Sequence, residues 1–192
     1  MDIKNTHESS TSMLRKYSDM VKEMYNPSEL TERRQGLFGF VQQSFPYPPW
    51  PPYIVNDWHY KTIKDMQSQE EIAEYITTMN QIYGKVQWRE QPLEITLNIF
   101  DPGTQQRIKQ RVGGTANPMG VYNDAERHTT AQQLLQQKGI SKEPIIVVKT
   151  PQGYELLEGW HRTIQYLQAF PQGYTGPAWV GTGPLGSENI TS

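Results

Sequence analysis

The chain has 192 residues, 35% of them hydrophobic, with 11 tyrosines and 5 tryptophans, enough to pack the core of one elaborated domain or two small ones. It contains no cysteine, which excludes disulfides, thiolate metal sites and a cysteine nucleophile, and its formal charge of −2 argues against sequence-specific binding of duplex DNA, which favours a basic excess. No apolar run approaches the roughly 18 residues that span a bilayer, and the polar start from Met1 to Ser12 lacks the features of a signal peptide, so a soluble protein of the cytoplasm, with no membrane partner, is expected.

Taken in chain order, the first half reads as helices and an arm. Met13, Tyr17, Met20, Val21 and Met24 share one helical face, and Asn26-Pro27 stops that segment. Ser28 is placed to cap a short second helix ending near Gly36. The stretch Phe45-Pro46-Tyr47-Pro48-Pro49-Trp50-Pro51-Pro52-Tyr53 has too many prolines for a helix or an inner strand and is expected to be extended. Residues 46–53 are then either a docking arm for a partner or an arm packed on the protein's own surface or on a second subunit. Ser68 and Glu71 form a capping box for a helix carrying Ile72, Tyr75, Ile76, Met79 and Tyr83, ended by Gly84.

The period then changes. Leu93, Ile95, Leu97 and Ile99 alternate with polar residues as a half-buried strand, Asp101-Pro102-Gly103 turns the chain, and Gly113-Gly114-Thr115 marks a loop. Asn123 and Glu126 make a second capping box, for a helix carrying Ala131, Leu134 and Leu135 and stopped at Gly139. Ile145-Ile146-Val147-Val148 is a short, wholly apolar and β-branched run, as in a buried strand. Pro151-Gln152-Gly153 turns into a strand from Tyr154 to Leu157, Gly159 turns into a helix with Ile164, Leu167 and Phe170 inward, and Pro177-Ala178-Trp179-Val180 forms a last strand. The fold class expected is α+β: a small sheet flanked by helices. Its division is a mainly helical extension over 1–92, an α/β domain over 93–181 and a loose tail over 182–192.

The turn Glu158-Gly159-Trp160-His161-Arg162 concentrates the chemistry. A glycine there lets a ligand approach the backbone, and the amides that follow open a helix whose partial positive charge favours phosphate. Arg162 offers a bidentate clamp and His161 a group that titrates near neutral pH. The plainer alternative is a helix start in which Arg162 pairs with Glu158 or Glu155 and His161 caps a carbonyl.

The order helix, Gly139, Pro144-Ile145-Ile146-Val147-Val148, Gly153-Tyr154-Glu155, Glu158-Gly159-Trp160-His161-Arg162, helix, Pro177-Ala178-Trp179-Val180 resembles the N-terminal domain of ParB partition proteins and, more broadly, the ParB/sulfiredoxin-like superfamily. The likeness covers about residues 93–181. It implies binding of a nucleotide or other phosphate compound at Gly159, Trp160, Arg162 and Thr163, with Arg127 and His128 lining the same pocket or simply lying on a charged helix end. It implies catalytic roles for Glu158 and His161, and Glu158 as a ligand for magnesium. Trp160 stands where sulfiredoxins have cysteine, so sulfinic-acid reduction is excluded. No helix-turn-helix reader follows the domain, which argues against centromere-type recognition. Asn117-Pro118 sits where partition proteins have a nucleotide-contacting segment, but lacks the arginine and glutamine that usually follow.

Three functions fit these residues. The first is a nucleotide- or phosphate-binding protein acting on a phosphate bond by hydrolysis or phosphoryl transfer. The second is a non-catalytic accessory protein, in keeping with the phage-encoded standalone copies of such domains, active in the host cytoplasm and using the arm and residues 1–92 for a partner or for homo-oligomerisation. The third is a nuclease, which would need a basic groove involving Arg107, Lys109 and Arg111. His7 and His59 have no ligand-like spacing, and Trp58-His59-Tyr60 reads as packing.

Overall fold

The computed structural model describes residues 27–118, 120 and 124–185, with no side chains described over 27–34. The expected Met13–Met24 helix, Asn123 of the second capping box and most of the tail lie outside the described residues. Two compact units divide at Ser44/Phe45. The first contains one described element, helix α1 (Pro27–Ser44). It begins at Pro27, where proline suits a first helical position, and continues through Gly36 and Gly39 instead of ending there.

The second unit holds everything else. Its helical stretch α2 is built from an α turn (Pro52–Ile54), a π turn (Val55–His59) and a final α turn (Tyr60–Ile63). Then follow α3 (Gln69–Tyr83), β1 (Gln87–Ile95), a 3-10 turn (Leu97–Ile99), α4 (Pro102–Val112), α5 (Asp124–Lys138), β2 (Ile145–Thr150), β3 (Gly153–Glu158), α6 (Trp160–Ala169) and β4 (Tyr174–Thr182). Helices and one four-stranded sheet make an α+β fold, as expected. No helix among the described residues is long and apolar enough to cross a membrane.

The strand order is β1-β4-β2-β3. β4 pairs antiparallel with β1 and parallel with β2, while β2 and β3 form an antiparallel hairpin. Two prolines are accommodated by sharing a rung: Pro92 of edge strand β1 faces Pro177, and pairing of β4 with β2 starts only at Ala178. The missing donors therefore fall where no ladder bond is lost to an inner strand. Two sequence expectations change here. The strand begins at Gln87, and Leu97 and Ile99 leave it for the 3-10 turn, because Asp101 caps α4 by accepting from the Thr104 amide at 3.0 Å. The expected boundary at 92/93 falls inside β1.

β2 explains the layering. Its successive side chains point to opposite faces, yet Ile145, Ile146, Val147 and Val148 are all buried. Ile145 and Val147 face a core with Ile95, Phe100, Ile108, Leu156, Ile164 and Tyr174. Ile146 and Val148 need cover on the other face, which carries Trp88 and Trp179. The first half of this unit supplies aromatic cover there: the Trp50 ring stacks 6.0 Å from Trp88 and that of Tyr53 6.4 Å from Trp179. The proline-aromatic stretch is therefore wall, not a free arm. Phe45 and Trp50 are buried, Pro46, Tyr47 and Pro48 between them are exposed, and Pro52 and Tyr53 begin α2 instead of continuing an extended arm. His59 is fully buried in this layer, stacked 3.9 Å from Phe45, with Nδ1 3.0 Å from the Tyr75 hydroxyl.

Candidate functional site

The hairpin register contains an irregularity that decides where Glu158 points. Val147 faces Leu156, but Ile146 faces Glu158, so Leu157 is an extra residue, a β-bulge. Regular pairing would put Glu158 opposite Ile145, on the main core face. The bulge moves it opposite Ile146, onto the face covered by α2. There its carboxyl comes under the influence of Asp57 and Lys61, both from α2. Burial, reinforced by the Asp57 carboxylate, pushes the Glu158 pKa up; Lys61, Arg162 and the Gly159 amide pull the other way without cancelling the rise.

Gly159 follows with φ 96° and ψ 19°, and a Cβ there would lie 2.7 Å from Cγ2 of Ile145. Only glycine fits both the torsion and the space. The chain then enters α6 directly, with the Thr163 amide bonding the Gly159 carbonyl at 2.9 Å. The three preceding amides, of Trp160, His161 and Arg162, have no carbonyl within the helix to bond.

A cavity of about 440 Å³ opens at this helix start. Glu158, Gly159, Trp160, His161 and Arg162 line one side; Glu126, Arg127 and Leu134 of α5 line another, and Lys61 and Lys64 close it from the end of α2. Four cationic side chains thus meet three carboxylates, those of Glu126, Glu143 and Glu158. Two of the cations also pair with carboxylates outside that set, Lys61 with Asp57 and Arg127 with Asp65.

Arg162 is held in the wall. Its guanidinium donates to the Glu143 carboxylate at 2.7 Å and to the carbonyls of Glu143 and Pro144 at 3.3 Å each. The Tyr53 hydroxyl donates to the same Pro144 carbonyl at 3.2 Å. Arg162 pairs with Glu143, not with Glu158 or Glu155 as the plainer reading of the sequence had it. Trp160 is fixed on its other side by Arg107, whose guanidinium carbon lies 5.8 Å from the ring centre.

His161 is positioned by a buried acid. Its Nε2 lies 3.0 Å from Asp124 Oδ1, and Asp124 Oδ2 lies 3.1 Å from Arg111. Burial pushes the His161 pKa below its usual value, against the opposing pull of Asp124. The ring is therefore neutral at neutral pH. Donating Nε2–H to Asp124 leaves its lone pair on Nδ1. Behind it, His128 sits 2.6 Å from the Gln165 amide nitrogen, and burial with the Arg111 charge pushes its pKa down as well.

Of the residues singled out in the sequence, Glu158, Gly159, Trp160, His161, Arg162 and Arg127 line the cavity; two do not. Thr163 is fully buried behind the helix, and His128 lies in the polar cluster behind His161. Arg111, expected in a basic groove, is committed to Asp124. Sequence reading missed Asp57, Lys61, Lys64, Asp124 and Glu143. For Asp57, Lys61 and Lys64 a signal existed in the i, i+4, i+7 spacing of charges on one helical face.

Among the described residues no group of three or more His, Asp or Glu side chains is placed to hold a metal ion. The oxygen donors nearest to that role are Glu158 and Asp57, whose buried Oδ2 has no hydrogen-bond partner. A hard cation such as magnesium can be held by one or two carboxylates with water and phosphate completing its shell; of these two only Glu158 lines the cavity, and Asp57 is already paired with Lys61. No family model, curated protein or solved structure matches the chain.

Proposed function

We propose that the chain binds a phosphate-bearing small molecule in the cavity at the start of α6 and acts on a phosphate bond there. The observation that carries this reading is the convergence of Lys61, Lys64, Arg127 and Arg162 on the unbonded amides of one helix N-terminus. Anionic oxygens placed there meet oriented N–H groups, the helix dipole and four cationic side chains, of which Lys61 is paired with Asp57, Arg127 with Asp65 and Arg162 with Glu143. The Glu143 carboxylate already occupies the arginine as such an anion would. Its side chain is 69% exposed against 15% for Arg162, so a ligand phosphate can displace it without disturbing the wall.

His161 supplies the chemistry. With Asp124 fixing its tautomer, the neutral imidazole accepts a proton at Nδ1 from an attacking hydroxyl or water and returns it to the leaving oxygen. Glu158, protonated more readily than an ordinary carboxyl, can donate a proton to a bridging oxygen or, when ionised, serve as a carboxylate ligand for a magnesium ion, which would supply charge neutralisation to the phosphate oxygens. This reading is favoured over a purely structural use of the scaffold because neither Trp160 nor residues 46–53 fill the cavity. It is favoured over a nuclease because Arg111 is bound to Asp124 and Arg107 to Trp160. The resemblance to ParB/sulfiredoxin-like domains points the same way.

Thermal unfolding of the full chain with ribonucleoside triphosphates and diphosphates and with tripolyphosphate, each with and without magnesium, tests it. A ligand at a hundred times its Kd raises stability by about 2.7 kcal/mol, and Arg162→Ala is expected to remove that shift. No shift with any phosphate compound would sink the proposal.

A further inference from the structure

Helices α5 and α6 are joined by two polar contacts that repeat with the period of a helix. Asp124 and His128 stand four residues apart on α5, and His161 and Gln165 four apart on α6, so each pair lies on one face, a turn apart. Asp124 meets His161 at 3.0 Å, and one turn on His128 meets Gln165 at 2.6 Å. Both contacts span 37 residues of sequence, so the two helices run side by side in the same direction. Because α5 also carries Glu126, Arg127 and Leu134 to the cavity, these contacts set one cavity wall against the helix start that forms the other.

The two contacts answer a proton differently. His161 donates Nε2–H to Asp124 and takes a further proton on Nδ1 with that bond intact. His128 has the reverse role. The Gln165 amide nitrogen can only donate, so Nε2 of His128 accepts and its ring proton sits on Nδ1. A second ring proton would have to go to Nε2, where it meets the N–H of Gln165. Its charge would be poorly placed as well. The groups facing His128 are Arg111 from α4, His161 from α6 and Asp124 from its own helix, and Arg127 adds its charge on the His161 side. Asp124 is the one carboxylate in that set, and both of its oxygens are engaged, with His161 and Arg111. His128 is only partly buried and can turn out to solvent, whereas Gln165 is 5% exposed and stays in the seam.

We propose that the His128–Gln165 contact is an acid-released latch: when His128 takes up a proton it leaves the seam, and α5 parts from α6 at the cavity wall. The latch works whatever the cavity binds. Its direction follows from linkage. In the seam the imidazole resists protonation, through burial and the Arg111 charge, and turned out to solvent it titrates in the ordinary way near 6.5. A closed form that refuses a proton and an open form that accepts it make the open population grow about tenfold for each unit of pH below that value, until the closed form is protonated too. His161 does not produce this release, because its own proton leaves the bond to Asp124 in place.

The chain has no cysteine, so spin labels go only where cysteines are introduced. Labels on Gln132→Cys of α5 and Gln168→Cys of α6, both exposed positions, report the distance between the helices in the full chain from pH 8 to pH 5. One distance is expected at pH 8, joined at lower pH by a longer one whose share, while small, rises about tenfold per unit of pH below the ordinary histidine range. Two variants in the labelled background separate the latch from other effects of acid. His128→Gln takes up no proton and should keep the pH 8 distance down to pH 5. Gln165→Glu gives a charged imidazole an acceptor and should keep it as well. A single distance at every pH in the labelled parent, or a release at low pH that persists in either variant, would overturn the proposal.

Discussion

Replacing His59 by phenylalanine should flatten the acid side of the stability profile, and the structure sets the size of the effect. The imidazole is fully buried among Phe45, Trp50 and Trp58, and no carboxylate faces it; one nitrogen meets Tyr75, and the other has no hydrogen-bond partner among the described residues. Burial lowers its pKa from 6.5 to about 3. The unfolded chain therefore takes up a proton that the folded chain refuses, so His59 lowers stability as pH falls below 6.5 and finishes doing so near 3. At pH 4.5 the unfolded imidazole lies two units below its pKa while the folded one is still neutral, a loss of about 3 kcal/mol relative to pH 7.5. Phenylalanine keeps an aromatic ring in the stack and cannot titrate. It also orphans the Tyr75 hydroxyl, at a cost that does not vary over this range. The measurement is urea unfolding of both proteins at pH 7.5, 6.0 and 4.5. The carboxylates and the other histidines titrate in both, so the difference between the two curves isolates His59. Parallel curves would refute the reasoning.

Three further outcomes are expected. Gly159→Ala should lower stability by roughly 2–4 kcal/mol, from the positive φ together with the Cβ contact on Ile145, and a drop in Tm within a degree of zero would contradict it. Glu158→Gln should tighten magnesium-free binding of phosphate compounds, most at alkaline pH: the folded carboxyl keeps its proton longer than an ordinary one, so the native charge opposes the ligand only as pH rises through that raised value. Titration from pH 4 to pH 9 checks it, and an effect that does not grow with pH would count against the placement of Glu158. Asp124→Asn should move the His161 titration, followed by its ring NMR signals, to still lower pH, because Asp124 is what raises it against burial; an upward move would show that the pair is not formed.

The local grammar of the second half was legible because each signal is carried by adjacent residues. The apolar run of β2, the turn at Gly153, the glycine at 159 and the stop at Gly139 all act within a few positions. Gly153 illustrates this, with φ 139° and no room for a Cβ against the Ile99 and Phe100 backbone. The capping box at Ser68 was legible for the same reason: Ser68 Oγ accepts from the Glu71 amide at 3.0 Å, although the Glu71 carboxylate returns to Gln67 instead of Ser68. What escaped depends on distant residues. The run Trp88 to Pro92 carries no alternation to announce an edge strand, and Pro92 argues against one until its rung partner is known to be Pro177. The length of α1 was hidden by Gly36 and Gly39. Half of the site was hidden too, since Lys61, Lys64 and Asp124 reach it only through tertiary packing.

That hidden half follows from a requirement the sequence does state. Four consecutive apolar residues in β2 cannot be buried by one layer, because alternate side chains leave opposite faces. The cover for Ile146 and Val148 must come from elsewhere in the chain, and the aromatic stretch from Trp50 to Trp58 lies on that face. Once it does, the end of α2 comes to the mouth of the β3–α6 turn, and Lys61 and Lys64 enter the cavity. The bulge at Leu157 works with this layer: by turning Glu158 away from the main core, it places the acid beside Asp57 and Lys61 instead of among Ile95 and Leu156. The first half of the unit is thus bound to the site by the same packing that buries the sheet, so a fragment beginning at residue 93 would both expose that face and lose two of the four cations at the cavity.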